Sequence, residues 1–270
     1  MSNANVINWL VHTSIDVSVL IVFVLLARRP IARIFGSTPT YLLWALPALA
    51  LVMPEIKITA KAMGIPAQVL STYAQLKQSS VFEPAAANTQ GINWDSFIVV
   101  AWLCIAALWL VFQILAYRAS YQKALLSSKR ASEELLAQAE RTAQKIKLRK
   151  LPRLRICARG GSPMVLGLLR PMVILPAGFE TDFAATERNM ILAHEMMHIK
   201  RRDLWVGFGM LLFRALQWPN PLVHIAAHSF RNDQEAACDA SVLKTTHASA
   251  DAQQTYLRAL VKTATTYEGA

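Results

Sequence analysis

The chain has 270 residues, of which 54% are hydrophobic and 17% charged, and its mean hydropathy is +0.32. A soluble domain carries about 25% charged residues, so this composition disfavours an ordinary soluble enzyme and excludes a disordered chain. A net charge of +11 leaves three roles for the excess cations: nucleic acid, an anionic membrane surface, or loops that set membrane topology.

Three apolar stretches precede residue 120. The first, 6–27, is long enough to cross roughly 30 Å of hydrocarbon. It lacks a small-residue cleavage site, so it reads as a retained span and not a signal peptide. His12 and Asp16 lie four apart on one face of it. They read as a polar pair satisfied by a neighbouring span or lying near the interface, in preference to an intramembrane functional site. The second stretch, 41–53, is short and broken by Pro47, and it can span only with flanking residues or local thinning. The third, 94–117, is the cleanest. Trp94, Trp102, Trp109 and Tyr117 include interfacial anchors.

The position of the charges decides their meaning. Residues 28–40 carry +3, residues 54–93 carry +1, and residues 118–203 carry +9. The positive-inside rule puts the first and last of these in the cytoplasm. The N-terminus is then outside and 54–93 is an external loop. A membrane domain over 1–117 and a cytosolic domain over 118–270 follow. The basic excess reads as a topology label, so no direct nucleic-acid binding is expected. Cys104, Cys157 and Cys238 are too few and wrongly spaced for a disulfide framework.

Residues 118–150 read as a polar helix of mixed charge, ended by Pro152. Arg153 to Ala158 alternates apolar and basic, as a half-buried strand does. Gly160-Gly161 turns the chain. Met164 to Leu168 and Met172 to Leu175 read as two more short strands. Helix resumes after Thr181 or Asp182, either of which can cap it.

That helix carries His194-Glu195-Met196-Met197-His198. Histidines at i and i+4 project from one face, close enough to share a metal, and neutral imidazoles suit zinc. The intervening glutamate can take a proton from water at that metal. A catalytic site needs a third protein ligand. Glu235 is the first choice. Asp239, one turn further on, can accept the N–H of a ligand imidazole. Spacing alone leaves this pair open, because a Glu and an Asp at i,i+4 are commonly solvated surface charge. Cys238 ranks below Glu235, since a thiolate suits a closed structural site. His224 and His228 form a rival i,i+4 pair without a general base between them, and they read as packing or interfacial residues.

These motifs, taken in order, resemble the M56 family of membrane metallopeptidases, the antibiotic-sensor group that includes BlaR1 and MecR1. The resemblance runs through Ser162 to Gly167, Arg170-Pro171 and Ile174 to Pro176. It continues through HExxH with Ile199 to Asp203, through Trp218 to Leu222, and to the ExxxD at Glu235. It implies a mainly α integral membrane protein: three N-terminal transmembrane helices and a cytosolic α+β gluzincin-type zinc metalloprotease domain. It also implies His194, His198 and Glu235 as zinc ligands and Glu195 as the catalytic residue. Asp239 and Asp203 are expected to support the ligands. The location implied is a bacterial-type cytoplasmic membrane. The implied substrate is a cytosolic protein, repressor-like, with self-cleavage as a further possibility. A non-catalytic membrane transducer that keeps the zinc fold is the alternative. The relatives attach a further span and a penicillin-binding sensor, which residues up to Ala270 do not contain, so either the protease domain is truncated at its C-terminal end or this member receives another signal.

Residues 204–227 are apolar enough to suggest a fourth span. A single crossing there would put His194 and Glu235 on opposite sides of the membrane, where they cannot share zinc. Arg214 would also cost about 2.5–3.5 kcal/mol at a span's centre. Pro219-Asn220-Pro221 breaks the run. A helix–turn–helix returning to the same side is therefore expected, buried in the protease domain or dipping into the membrane.

Overall fold

The structure is a computed structural model that describes residues 3–51, 68, 71–72, 74–75, 94–158, 161–246 and 250–267. Apart from five of its residues, the expected external loop 54–93 lies outside these, as does Gly160. The chain divides into two compact units. The first comprises residues 1–111 and 212–230, and the second 112–211 and 231–270.

In the first unit, α1 (Asn3–Phe35) buries one stripe, Thr13, Val17, Ile21 and Val24, at helical spacing. Many of its other described apolar side chains, such as Val22, Phe23 and Leu26, are exposed and the rest only half-buried. The helix α4 (Trp94–Leu126) is barer still, with Ala106 alone of its residues buried. Exposed apolar surface on this scale fits hydrocarbon and not water. Among the described residues these two helices are long and apolar enough to cross a membrane.

The stretch expected as the second span is instead two short helices, α2 (Ser37–Leu42) and α3 (Ala45–Leu49). Pro47 explains the break. It has no N–H to give and is tolerated in the first turn of α3 but not in mid-helix. Tight backbone bonds join the pair, Leu43 N–H to Thr40 O and Trp44 N–H to Tyr41 O, both 3.3 Å. Both helices pack on α1.

The run 204–227 also resolves into two helices, α8 (Asp203–Leu216) and α9 (Pro221–Thr245). Their turn sits in the first unit. Asn220 accepts from Leu222 N–H at 3.0 Å, capping α9, and its amide donates to Ser18 Oγ of α1 at 2.8 Å. Arg214 lies 5.2 Å from the Trp109 ring and reaches His224 Nδ1 at 3.5 Å. His224 Nε2 in turn donates to Trp218 O at 3.1 Å. This histidine therefore serves the hairpin, as expected of a packing residue.

The second unit is built on a four-stranded sheet: β1 (Ser128–Arg130), β2 (Arg153–Cys157), β3 (Met164–Leu166) and β4 (Met172–Pro176). Their order is β1-β2-β4-β3, with β2 and β4 parallel and the outer pairings antiparallel. The strands β2, β3 and β4 fall in the three segments expected, with β3 ending at Leu166 instead of Leu168 and β4 running on to Pro176. The expected single helix over 118–150 does not form. Instead α4 runs to Leu126, β1 follows, and α5 (Glu133–Lys145) starts afresh. Three polar residues carry no strand signal, and β1 exists because β2 offers an edge to pair with. Ser132 caps α5, accepting from Leu135 N–H at 3.1 Å. The buried positions Leu135, Gln138, Ala139, Thr142 and Ala143 then follow helical periodicity.

A short α6 (Phe179–Asp182) precedes α7 (Ala185–Arg201). Neither Thr181 nor Asp182 caps the long helix, as they belong to α6. Glu187 does so from within, accepting from Ala184 N–H at 2.9 Å. The core gathers Leu135, Leu175, Phe179, Leu192 and Met196 between α5, the sheet and α7. Tyr256 joins it from α10 (Ala250–Tyr267).

Asn220→Ala removes both the cap and the contact with Ser18. It is expected to destabilise the protein by about 1–2 kcal/mol, read as a lower melting temperature in detergent. Asn220→Asp keeps the cap and should fall between. An unchanged melting temperature in the alanine variant would show that the turn is not anchored through Asn220.

Candidate metal centre

Two faces of α7 separate structure from chemistry. Leu192, Ala193, Met196 and Met197 are buried in the core. Ile191, His194, Glu195 and His198 face a cleft of about 1740 Å³. The spacing i, i+3, i+4, i+7 that lines this cleft is one helical stripe. Glu235 enters the cleft from α9, and Asp203, the first residue of α8, lies behind it. The edge strand β3 forms another wall.

Three ligand atoms converge. His194 Nε2 and His198 Nε2 are 3.2 Å apart, and Glu235 Oε2 lies 3.5 Å from the first and 3.3 Å from the second. Around a tetrahedral ion with bonds of about 2.0–2.1 Å, ligand atoms lie roughly 3.3–3.4 Å apart. The triangle has that size, and its donors are the nitrogen and oxygen types that zinc takes. The residues present therefore fit such an ion.

The far side of each imidazole is also held. His198 Nδ1–H donates to Asp203 Oδ2 at 2.7 Å, and Asp203 pairs with Arg201 at 3.4 Å. His194 Nδ1 has Tyr256 Oη at 2.7 Å and Asp239 Oδ1 at 3.1 Å, and the Tyr256 hydroxyl donates to that same Asp239 oxygen at 2.6 Å. Both rings thus keep the tautomer that turns the Nε2 lone pair toward the shared point.

The electrostatics agree. Burial disfavours protonated imidazoles, but Asp239 and Glu235 outweigh it and raise His194 to about 10. For His198, burial is outweighed by Asp203, Cys238 and Glu235, and its pKa rises to about 12. Burial would raise Glu235, yet the two imidazoles hold it well below the usual carboxylate range. Such a pocket of negative potential holds protons when metal-free and suits a divalent cation. Glu195 differs from the ligands: it is buried, and that burial raises its carboxyl, with the imidazoles pulling the other way.

The structure brings together all six residues expected from the sequence: His194, Glu195, His198, Asp203, Glu235 and Asp239. It adds Tyr256, which no motif flagged. Cys238 is close too, its Sγ within 4.8 Å of the imidazole ligand atoms. Its thiol is buried and donates to His194 O at 3.7 Å, while Glu235 Oε2 lies 3.5 and 3.3 Å from the two Nε2 atoms.

Apolar helices of membrane length, an HExxH helix and a carboxylate converging on its two imidazoles together define a class of membrane protein with a metallopeptidase-type site. The chain belongs to the BlaR1 peptidase M56 family, whose profile matches residues 8–269. The regulatory protein BlaR1 of Bacillus licheniformis is 37% identical over 84 residues, 31% of this chain and 14% of that one. The methicillin resistance mecR1 protein of Staphylococcus aureus is 28% identical over 173 residues, 62% of this chain and 29% of that one. The regulatory protein BlaR1 of the same species is 24% identical over 247 residues, 84% of this chain and 41% of that one. The chain thus spans less than half the length of these curated relatives.

Glu235→Ala is expected to lose stoichiometric zinc, whereas Cys238→Ala keeps it; the reverse would make the thiolate the third ligand. The pH dependence has a definite sign. Imidazoles with raised pKa carry protons at pH 7, and a metal must displace them. Zinc affinity should therefore rise with pH, by up to about a hundredfold per unit when two protons leave. Competition with a chelator between pH 6.5 and 8.5 measures this, and a flat profile would contradict it.

Proposed function

We propose that this protein is a membrane-embedded zinc metalloendopeptidase that hydrolyses peptide bonds of a cytosolic, repressor-like protein, or of itself, during signal transduction. The observation that carries the reading is the triangle of His194, His198 and Glu235 beside the buried, non-ligating Glu195. In the proposed topology the N-terminus is outside, residues 41–53 complete a second crossing with α1 and α4 as the others, and the zinc site is cytosolic. The charge distribution, +3 over 28–40 and +9 over 118–203, supports this orientation.

A zinc ion held by His194, His198 and Glu235 would supply Lewis acidity, lowering the pKa of the attacking water and polarising the scissile carbonyl. The rest falls to the chain. Glu195 accepts the proton of the attacking water and delivers it to the leaving amine nitrogen. Burial suits it to both halves of that transfer, because a carboxyl raised from its ordinary value binds the proton long enough to pass it on. Asp203, Asp239 and Tyr256 hold the two imidazoles still. An extended substrate can lie along β3, whose outer edge is unpaired by any other strand of the sheet and whose residues line the cleft.

The alternative is a transducer that keeps the fold without cleaving. Glu195→Gln separates the two. It preserves shape and zinc, and is expected to lower cleavage by about 10²–10⁴. Cleavage is followed by mapping new N-termini of cytosolic proteins on co-expression with the wild type and the variant. N-termini that appear equally with both would remove Glu195 from the mechanism. None with either would favour the transducer.

A further inference from the structure

Residues 141–179 contain nine basic residues and no acidic one. The positive-inside rule accounts for their sign. It does not account for their convergence on one concavity. A cavity of about 750 Å³ in the second unit holds none of the candidate metal ligands, although it adjoins their cleft and shares Leu169 and Arg170 with it. The connection between α5 and β2 gives it Lys147, Arg149, Lys150 and Arg153. The β3–β4 turn adds Arg170, and the end of α7 adds Lys200 and Arg202. No aspartate or glutamate lines it, and among the described residues none of these cations is in a salt bridge.

The fold, not chance solvation, sets this arrangement. Lys147 and Arg202 both adopt left-handed backbone, at φ 54° and 62°, where non-glycine residues are uncommon. Lys200 Nζ donates to Ile146 O at 2.8 Å, tying the end of α7 to the end of α5. Gly167, at φ +93°, makes the β3–β4 turn, and a Cβ there would stand 2.6 Å from Arg170 O. Like charges drawn into a concavity repel one another, and an anion relieves that repulsion. The apolar part of the wall is distinctive as well. Leu169, next to Arg170, is 81% exposed and gives the wall an apolar element beside its cations.

We propose that this cavity binds a phosphate-bearing anion, and that its source is the headgroup of an anionic phospholipid, with Leu169 against the lipid's apolar part. A chain with two helices of membrane length meets such headgroups at high local concentration. The inference does not depend on zinc or on peptide hydrolysis.

The test uses the full chain in non-ionic detergent, titrated by calorimetry with four probes: short-chain phosphatidylglycerol, phosphatidylcholine of the same chain length, inorganic phosphate, and a DNA duplex. Saturable binding of phosphatidylglycerol is expected, with none of phosphatidylcholine, and weakening as salt is raised. The triple variant Arg149→Gln, Lys150→Gln, Arg153→Gln should weaken it at least tenfold while zinc content is unchanged. The charge-preserving variant Arg149→Lys, Lys150→Arg, Arg153→Lys should retain it. Phosphate binding as tightly as the lipid would support the anion site and overturn the lipid as its source. Equal binding of phosphatidylcholine, or no effect of the triple variant, would overturn the proposal. So would tighter binding of a DNA duplex lost in the same variant, which would assign the cavity to nucleic acid.

Discussion

His194 and His198 can share a cation with Glu235 only if the chain between them comes back to where it started. That requirement governs the whole arrangement. An uninterrupted helix over 204–227 would carry Glu235 away from α7. The turn at 217–220 prevents this, and the return is visible in the contact between Gln234 Nε2 and Asp203 O, 3.4 Å apart at the two open ends of the hairpin. The apolar composition of 204–227 therefore does not signal a crossing. It lets the closed end of the hairpin pack with Ser18 and Trp109, while the open end delivers Asp203 and Glu235 to the cleft.

Assembling so many charged groups has a physical cost, and the geometry shows how it is met. Asp203 is almost fully buried, and it is compensated by His198 on one side and Arg201 on the other. Asp239 is shared by His194 and the Tyr256 hydroxyl. Asp203 and Asp239 thus each fix an imidazole, so that the Nε2 atoms need no reorientation to meet an ion. Glu195 stands apart because its neighbours do not lock it as they lock Asp203 and Asp239. Its burial raises its proton affinity, the property that a proton carrier needs and a ligand does not.

Much of this was legible in the sequence, for identifiable reasons. Local chemistry was readable: the i,i+4 histidines, the alternating strand β2 and the two short apolar strands after it, and the prolines at 47, 219 and 221 that interrupt apolar runs. Glu235 and Asp239 were suggested by spacing but carried by family resemblance, because two acids at i,i+4 look the same on a solvated helix. What was not legible depends on tertiary pairing. The strand at Ser128–Arg130 exists only because β2 accepts it. Glu187, and not Thr181 or Asp182, caps α7, since α6 takes those two residues. Tyr256 lies in a polar helix, and only the packing of α10 on α7 brings its hydroxyl to His194. The basic excess was readable as a sum, but its gathering around one cavity was not.

The atoms that surround a bound metal decide between a catalytic and a structural centre. X-ray absorption at the zinc edge on the purified full chain addresses them directly. One zinc per chain with only nitrogen and oxygen neighbours at about 2.0–2.1 Å is the result predicted for His194, His198 and Glu235. A sulfur neighbour at about 2.3 Å would replace Glu235 by Cys238 and make the site structural in kind. Absence of stoichiometric zinc would contradict the metal centre altogether.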